Sequence, residues 1–254
     1  MKVIGIVPAR MSASRFPNKP MASICGMPMV GHCYHRTKLA IGKCSTYVAT
    51  CDEEIANYIT SIGGASIMTS SNHFRATTRT AEAMEIIEGN MGNKVDIVVM
   101  VQGDEPLILP ETIAATIHSF RDPSVQIVNV MSHIHTHDDF LDKNNVKVVI
   151  NNDGNALYFS REPIPSPWRG GGEFTKYMQT GIIAFRREAL IKFNQMEESS
   201  LEKIESIDMN RVLEAGGKIR MIATDNITIG VDTPEELLRA GELIKRDATV
   251  HQYL

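Results

Sequence analysis

The stretch Val3-Ile4-Gly5-Ile6-Val7-Pro8-Ala9-Arg10 opens the chain as a short apolar run that empties into a cationic loop. An apolar run of that length, stopped by a proline, reads as a buried strand. Ser12, Ser14-Arg15, Pro17 and Lys19-Pro20 follow, so three cations (Arg10, Arg15, Lys19) and two hydroxyls gather beyond the strand's end. That arrangement suits a polyanion. Small residues let backbone N–H groups approach phosphates, and fixed cations neutralise the charge that builds on a leaving pyrophosphate.

Outward from this strand the same alternation continues. Strand-like runs fall at 2–7, 45–50, 65–69, 95–101, 125–131, 145–150, 155–159, 180–185 and 218–223. Helical runs fall at 28–41, 53–62, 77–89, 110–120, 187–194, 202–215 and 234–245. Such alternation predicts an α/β protein with a mainly parallel sheet and crossover helices. Gly63-Gly64 and Gly216-Gly217 mark helix ends, and Thr233-Pro234-Glu235-Glu236 opens the last helix with an N-cap, a proline at N1 and first-turn acids. Two segments break the pattern. Residues 132–144 are polar and acidic, and residues 161–176, with Pro163, Pro165, Pro167 and Gly170-Gly171-Gly172, can sustain neither helix nor strand. A loop that long in a compact domain is usually functional or mobile.

The composition argues against a polyelectrolyte partner. A net charge of −4 leaves no basic excess for a nucleic acid or an anionic membrane surface, so the N-terminal cations form a local site. The chain starts straight into a strand and no apolar run is long enough to span a bilayer, which predicts a cytoplasmic protein. Cys25, Cys33, Cys44 and Cys51 form no C-x-x-C pair and read as reduced, mostly buried thiols. At 254 residues the chain can form one large domain or two small ones.

The run Val95 to Val101 is almost unbroken apolar, as in a buried parallel strand, and Gln102-Gly103-Asp104-Glu105-Pro106 follows at its carboxyl end, where open sheets bind ligands. Asp104 either caps that turn or offers a hard carboxylate to Mg²⁺ held jointly with nucleotide phosphates. Asp232, in Ile229-Gly230-Val231-Asp232-Thr233-Pro234, is either a helix-entry acid or the partner of Asp104. Together, across a cleft from Arg10, Arg15 and Lys19, the two aspartates would complete a metal–triphosphate clamp. Neither G-x-G-x-x-G nor a P-loop occurs. His133, His135 and His137 alternate as on one face of a strand, and read as a solvent-facing edge ahead of a transition-metal site. No G-x-S-x-G nucleophile is present.

In order along nearly the whole chain stand Pro8-Ala9-Arg10, Ser14-Arg15-Phe16-Pro17-Asn18-Lys19-Pro20, Gly26-Met27-Pro28-Met29, Val48-Ala49-Thr50, Gln102-Gly103-Asp104-Glu105-Pro106, Asn145-Val146-Lys147, Ala156-Leu157-Tyr158-Phe159-Ser160-Arg161 and Gly230-Val231-Asp232-Thr233-Pro234. By these motifs the chain resembles the 3-deoxy-manno-octulosonate (Kdo) cytidylyltransferases. The resemblance implies an α/β fold with a mixed, mainly parallel sheet flanked by helices, nucleotide-diphosphate-sugar transferase-like (Rossmann-like), in a single domain over 1–254. Within it, 1–130 would mainly bind CTP, 131–225 would mainly bind the acceptor and form a homodimer, and 226–254 would carry a metal-ligand loop and the last helix. The implied reaction couples CMP from CTP to an acidic sugar with Mg²⁺, releasing pyrophosphate, for lipopolysaccharide or capsule assembly. Carried over residue by residue, Arg10, Lys19, Asp104 and Asp232 would be catalytic. Pro8, Ala9 and Arg10 would meet the cytosine, with Arg15, Lys19, Arg79 and Gln102 also on the nucleotide. Asp104 and Asp232 would ligate magnesium, and Arg75, Tyr158, Arg161, Gln179 and Asp208 would contact the acceptor.

Departures from the family pattern gather on the acceptor side. His-x-Ser-Gly-Thr-Glu/Asp-Arg becomes His73-Phe74-Arg75-Ala76-Thr77-Thr78-Arg79, and Cys51 stands where Asp usually follows Val-Ala-Thr. His-x-Gly-x-Tyr becomes Gln179-Thr180-Gly181-Ile182-Ile183, and a later Glu-Gln pair becomes Asp208-Met209. A lost His and Tyr remove hydrogen-bonding groups while Arg75 and Arg79 add charge, which predicts an altered acceptor pocket. The acceptors left open are Kdo, a relative such as 8-amino-Kdo, another ulosonate, and a phosphonate or phosphate ester. A non-catalytic nucleotide-binding protein is the reading from another class, and the intact Arg10, Lys19, Asp104 and Asp232 argue against it.

Overall fold

The computed structural model describes residues 1–12, 16–170 and 174–254. Ser14, Arg15 and Gly171-Gly172, singled out above, lie outside the described residues. The strands are β1 (Val3–Pro8), β2 (Ser23–Ile24), β3 (Met27–Pro28), β4 (Thr46–Thr50), β5 (Ala65–Met68), β6 (Ile97–Val101), β7 (Ile127–His133), β8 (Lys147–Ile150), β9 (Ala156–Ser160), β10 (Tyr177–Arg186) and β11 (Arg220–Thr224). The helices are α1 (Met29–Ile41), α2 (Glu53–Ser61), α3 (Ala76–Met91), α4 (Pro110–Ser119), α5 (His137–Leu141), α6 (Arg187–Gln195), α7 (Ser200–Glu205), α8 (Met209–Glu214) and α9 (Pro234–Ile244).

Among the described residues nine strands form one sheet, in the order β11-β7-β10-β6-β1-β4-β5, with β8 on β10 and β9 on β8. The β6–β1, β1–β4, β4–β5 and β7–β11 pairs are parallel, whereas β10 runs antiparallel to both β6 and β7. The sheet is therefore mixed and mainly parallel along that order, as expected. β6 explains why its run is apolar throughout. Ile97, Val99 and Val101 pack into the core on one face, and Val98 and Met100 into the core on the other, all wholly buried. A third, smaller core lies under α9, where Ile24, Leu107, Val231 and Ala240 meet.

The direction of β10 shapes the ligand-binding edge. Parallel β1 and β6 end on the same side of the sheet. The antiparallel β10 brings its beginning, Gln179 to Gly181, to the end of β6, where Gln102 N donates to Gly181 O (2.9 Å). The strand begins at Tyr177, three residues before the expected run 180–185.

Three local expectations are corrected. The helical run 202–215 is two helices, α7 and α8, because Ser206 turns left-handed (φ 55°) between them. The His133/His135/His137 alternation does not lie along one strand: β7 ends at His133, and Thr136 caps α5 by accepting from Asp139 N (3.0 Å). The four cysteines are free, yet only Cys33 is buried, with Cys51 half-buried and Cys25 and Cys44 exposed. No helix among the described residues is long and apolar enough to cross a membrane.

Candidate active site

Three loops converge at the carboxyl ends of β1 and β6. In the first, Asn18 adopts the left-handed conformation (φ 59°) that its short polar side chain tolerates, and a single 3₁₀ turn then buries Lys19. The second leaves β6 through Gln102 and Gly103. Gly103 N donates to Pro8 O (3.3 Å), and a Cβ at Gly103 would stand 3.0 Å from that same carbonyl, so a larger residue would push the two strand ends slightly apart. The third precedes α9. It is pinned to the second by Val231 N donating to Asp104 O (2.9 Å). Its capping box is complete, since Thr233 Oγ1 accepts from Glu236 N and Glu236 Oε2 accepts from Thr233 N (2.8 Å) and Asp232 N (2.7 Å). Asp232 is thus held at its own backbone by the helix it introduces.

The result is a three-residue charge cluster. Lys19 Nζ donates to Asp104 Oδ2 and to Asp232 Oδ1, each at 2.8 Å. Burial works against the ammonium, but the two aspartates outweigh it and the Lys19 pKa is raised. Beside them Glu105 is buried. Its Oε1 accepts from Gly181 N (2.6 Å), and its Oε2 has no hydrogen-bond partner among the described residues. Burial, with Asp104 adding repulsion, pushes the Glu105 carboxyl up to about 8, so at neutral pH it is mainly uncharged. Gly181 makes room for it: a Cβ there would lie 2.8 Å from Gln102 Cβ and 2.9 Å from Glu105 Cγ.

Two clefts open from this cluster. The first, of about 260 Å³, is bordered by Pro8 to Arg10, Phe16, Lys19, His73 and Arg79. The second, of about 380 Å³, is bordered by Asn144 to Val146, Arg161, Met178 to Gly181 and Ser206 to Asp208. Phe74, Arg75, Ala76, Gln102, Asp104 and Asp232 line both. One cleft therefore continues into the other across a wall that carries both aspartates.

The first cleft collects Pro8, Ala9, Arg10, Lys19, Arg79 and Gln102 from the nucleotide set expected above, while Arg15 lies outside the described residues. Arg10 Nη1 donates to His73 O (3.3 Å), which also accepts from Arg79 Nη2 (3.5 Å). His73 in turn contacts Thr78 Oγ1 through Nδ1 (3.0 Å) and Glu82 Oε2 through Nε2 (2.5 Å). Arg79 is buried, bonds Thr69 Oγ1 (2.5 Å), and faces the first cleft rather than the second. Arg79 thus stands with the residues expected on the nucleotide, and its charge is not added to the second cleft.

The second cleft collects Arg75, Arg161, Gln179 and Asp208. Arg75 reaches across to Ser206 Oγ (3.2 Å), and Asp208 accepts from Thr77 Oγ1 (2.5 Å). Burial raises the Asp208 pKa, partly offset by that bond and by Arg75. Tyr158 is not brought to the cleft. Its hydroxyl donates to Glu205 Oε1 (3.1 Å), the carboxylate that also accepts from Ser160 Oγ and Arg161 N, so it braces Arg161 from behind. Ile183 and Met209, which stand where the resemblance places a Tyr and a Gln, are both in the hydrophobic core. Neither residue lines either cleft. Of the departures, Arg75, Ala76, Gln179 and Asp208 line the second cleft.

Glu105 and the His73–Glu82 pair were not among the expected site residues. Glu105 stands inside a motif that already pointed here, so its neighbourhood was legible. The nine-residue gap between His73 and Glu82 matches no helical or strand period and carries no signal of its own.

Cations and paired carboxylates beyond the ends of the central strands suit a nucleotide and its phosphates, and the family matched is one of nucleotidyltransferases. The chain belongs to the cytidylyltransferase family, whose model matches residues 4–219. It is 40% identical to the 3-deoxy-manno-octulosonate cytidylyltransferase of Pelobacter propionicus over 95% of this chain and 97% of that one. It is likewise 40% identical to the 3-deoxy-manno-octulosonate cytidylyltransferase of Geobacter metallireducens, over 97% and 99%. Among solved structures it is similar to CMP:2-keto-3-deoxy-manno-octonic acid synthetase complexed with CTP (TM-score 0.87, 35% identity, 97% of this chain and 99% of that one). A cytidylyltransferase from Leptospira borgpetersenii, at 16% identity and TM-score 0.65 over 97% and 88%, shares the fold.

Proposed function

We propose that this cytidylyltransferase couples CMP from CTP to a Kdo-type ulosonate. The acceptor's anomeric hydroxyl attacks the α-phosphorus, forming the new O–P bond as the bond to pyrophosphate breaks. The observation that carries the reading is the shared wall. A nucleotide in the first cleft and an acidic sugar in the second would meet at Asp104, Lys19 and Asp232. Arg10 and Lys19 would then neutralise the departing pyrophosphate, and most of the rate would come from alignment and charge stabilisation. On this reading residues 1–130 supply most of the nucleotide side, 131–225 most of the acceptor side, and 226–254 the second carboxylate.

The donor set fits Mg²⁺. Asp104 and Asp232 are hard carboxylates held together by one ammonium. Among the described residues no group of three or more His, Cys, Asp or Glu forms a protein cage. Mg²⁺ is commonly held by one or two carboxylates together with substrate phosphates and water. Bound there, it would withdraw charge from the phosphates as pyrophosphate leaves.

Pyrophosphate release should be measured with CTP against Kdo, 8-amino-Kdo, another ulosonate, a phosphonate and no acceptor. Release is expected with a ulosonate, with CTP preferred over UTP and ATP. Release no faster than the acceptor-free blank for every ulosonate would overturn the reading. The proposal includes a homodimer formed by the second half of the chain, where Leu141, Leu157, Trp168 and Ile204 are exposed. Light scattering during gel filtration should return twice the 28.1 kDa chain mass, and a monomer would exclude the dimer.

A further inference from the structure

Lys147 belongs to the Asn145-Val146-Lys147 motif, yet nothing above gives it a role. It is the first residue of β8, paired with Ser160 of β9 and Met178 of β10, and it is wholly buried. Its ammonium donates to two backbone carbonyls, Asp142 O (2.8 Å) and Asn145 O (2.6 Å). Burying an ammonium is costly, and neutral carbonyls repay less of that cost than a bound carboxylate would. Burial accordingly draws the Lys147 pKa down, with Asp142 pulling the other way. An apolar residue of the same length would serve a core equally well.

The bonds that Lys147 makes are local. Their acceptors lie five and two residues earlier, so they tie no distant elements together and instead shape one short loop. Arg161 gathers a third carbonyl of that loop, with Nη1 donating to Lys143 O (2.8 Å) while Nε donates to Glu205 O (2.8 Å). The loop's other side matters for chemistry, because Asn144, Asn145 and Val146 line the second cleft and Val146 O accepts from Gln179 N (2.7 Å).

We propose that Lys147 is a positioning residue for the acceptor: its ammonium gathers the carbonyls of loop 142–145 and so fixes the Asn144–Val146 wall of the second cleft. The inference rests on the reading of that cleft as the acceptor site. Small displacements of a binding wall carry large kinetic costs, so Lys147→Met is expected to raise the KM for Kdo about tenfold. The KM for CTP and the kcat at saturating Kdo should stay within about twofold of wild type, since no group touching the nucleotide moves. Amide hydrogen exchange across 142–146 should quicken in the variant while the central strands stay protected. Lys147→Gln, which keeps N–H donors but loses the charge and some reach, should show the same selective rise, smaller in size. It carries the test if Lys147→Met does not fold. An unchanged KM for Kdo in the variant that folds would overturn the proposal. So would an equal loss for both substrates, or unchanged exchange at 142–146. A wild type that releases no pyrophosphate with Kdo would sink the acceptor assignment alone, and the exchange measurement would still decide whether Lys147 holds the loop.

Discussion

Asp104→Asn is expected to lower kcat for pyrophosphate release by about a thousandfold, the equivalent of roughly 4 kcal/mol of lost charge stabilisation at the transferring phosphate. The substitution keeps the shape of the side chain and leaves the backbone contact from Val231 N to Asp104 O in place. Lys19 retains Asp232 at 2.8 Å, so the local fold keeps one of its two ion pairs. The melting temperature should therefore shift by only a few degrees, as for the loss of about 1 kcal/mol at a partly exposed pair. A rise in the Mg²⁺ concentration needed for half-maximal rate should accompany the fall in kcat. Turnover within about tenfold of wild type would rule out the proposed role of Asp104 as a metal ligand, because a hard-cation ligand is not replaced so cheaply by an amide.

Lys19→Met is expected to act on both rate and stability. Its ammonium is the charge closest to both aspartates, and removing a preorganised cation from a developing negative charge costs about a hundredfold to a thousandfold in kcat/KM for CTP. Asp104 and Asp232 would also lose the ammonium that bridges them. Breaking a well-buried pair costs about 3–5 kcal/mol, and the exposure of the Asp104 and Asp232 side chains (27% and 26%) reduces the expectation here to about 1–3 kcal/mol. The Lys19 pKa is raised on folding, so this stabilisation is fully present below the ordinary lysine value and is lost only as pH rises through the raised one. The stability gap between wild type and variant should consequently show no contribution from Lys19 titration between about pH 6 and 9. Mg²⁺ should raise the melting temperature of the variant more than that of wild type, because the ion can take over the ammonium's place between the carboxylates. Calorimetric scans with and without Mg²⁺ test this, and equal shifts for the two proteins would refute it.

Much of the site was legible because its signals are local. Asp232 stands in front of Thr233-Pro234-Glu235-Glu236, and the capping box that fixes it is written in those four residues. Gln102 to Pro106 follows a run apolar on both faces, which marks a central strand and its ligand-binding end. The acceptor side was read less well. Gln179 and Ile183 both stand in one motif, but the β10 register slips between them, and only Gln179 reaches the cleft while Ile183 joins the core. Met209 is one residue from Asp208 and is likewise turned inward by the helix it opens. Tyr158 alternates on β9 as expected of a strand, yet which of its neighbours would be Glu205 depended on where α7 packs.

By itself the sequence determined the alternation of the main strands and helices, the buried character of β6, the capping of α9 and the gathering of cations beyond the first strand. Periodicity, caps and glycine turns act within a few residues, so they can be read in order along the chain. Only the tertiary structure decided that Lys19 meets Asp104 and Asp232, residues 85 and 213 positions away. It alone decided that Glu105 is buried against Gly181, that Lys147 turns its charge onto a loop, and which altered residues touch the cleft. Those outcomes depend on the antiparallel entry of β10 and on strand register, which are fixed by packing across the whole sheet and leave no mark in any single segment.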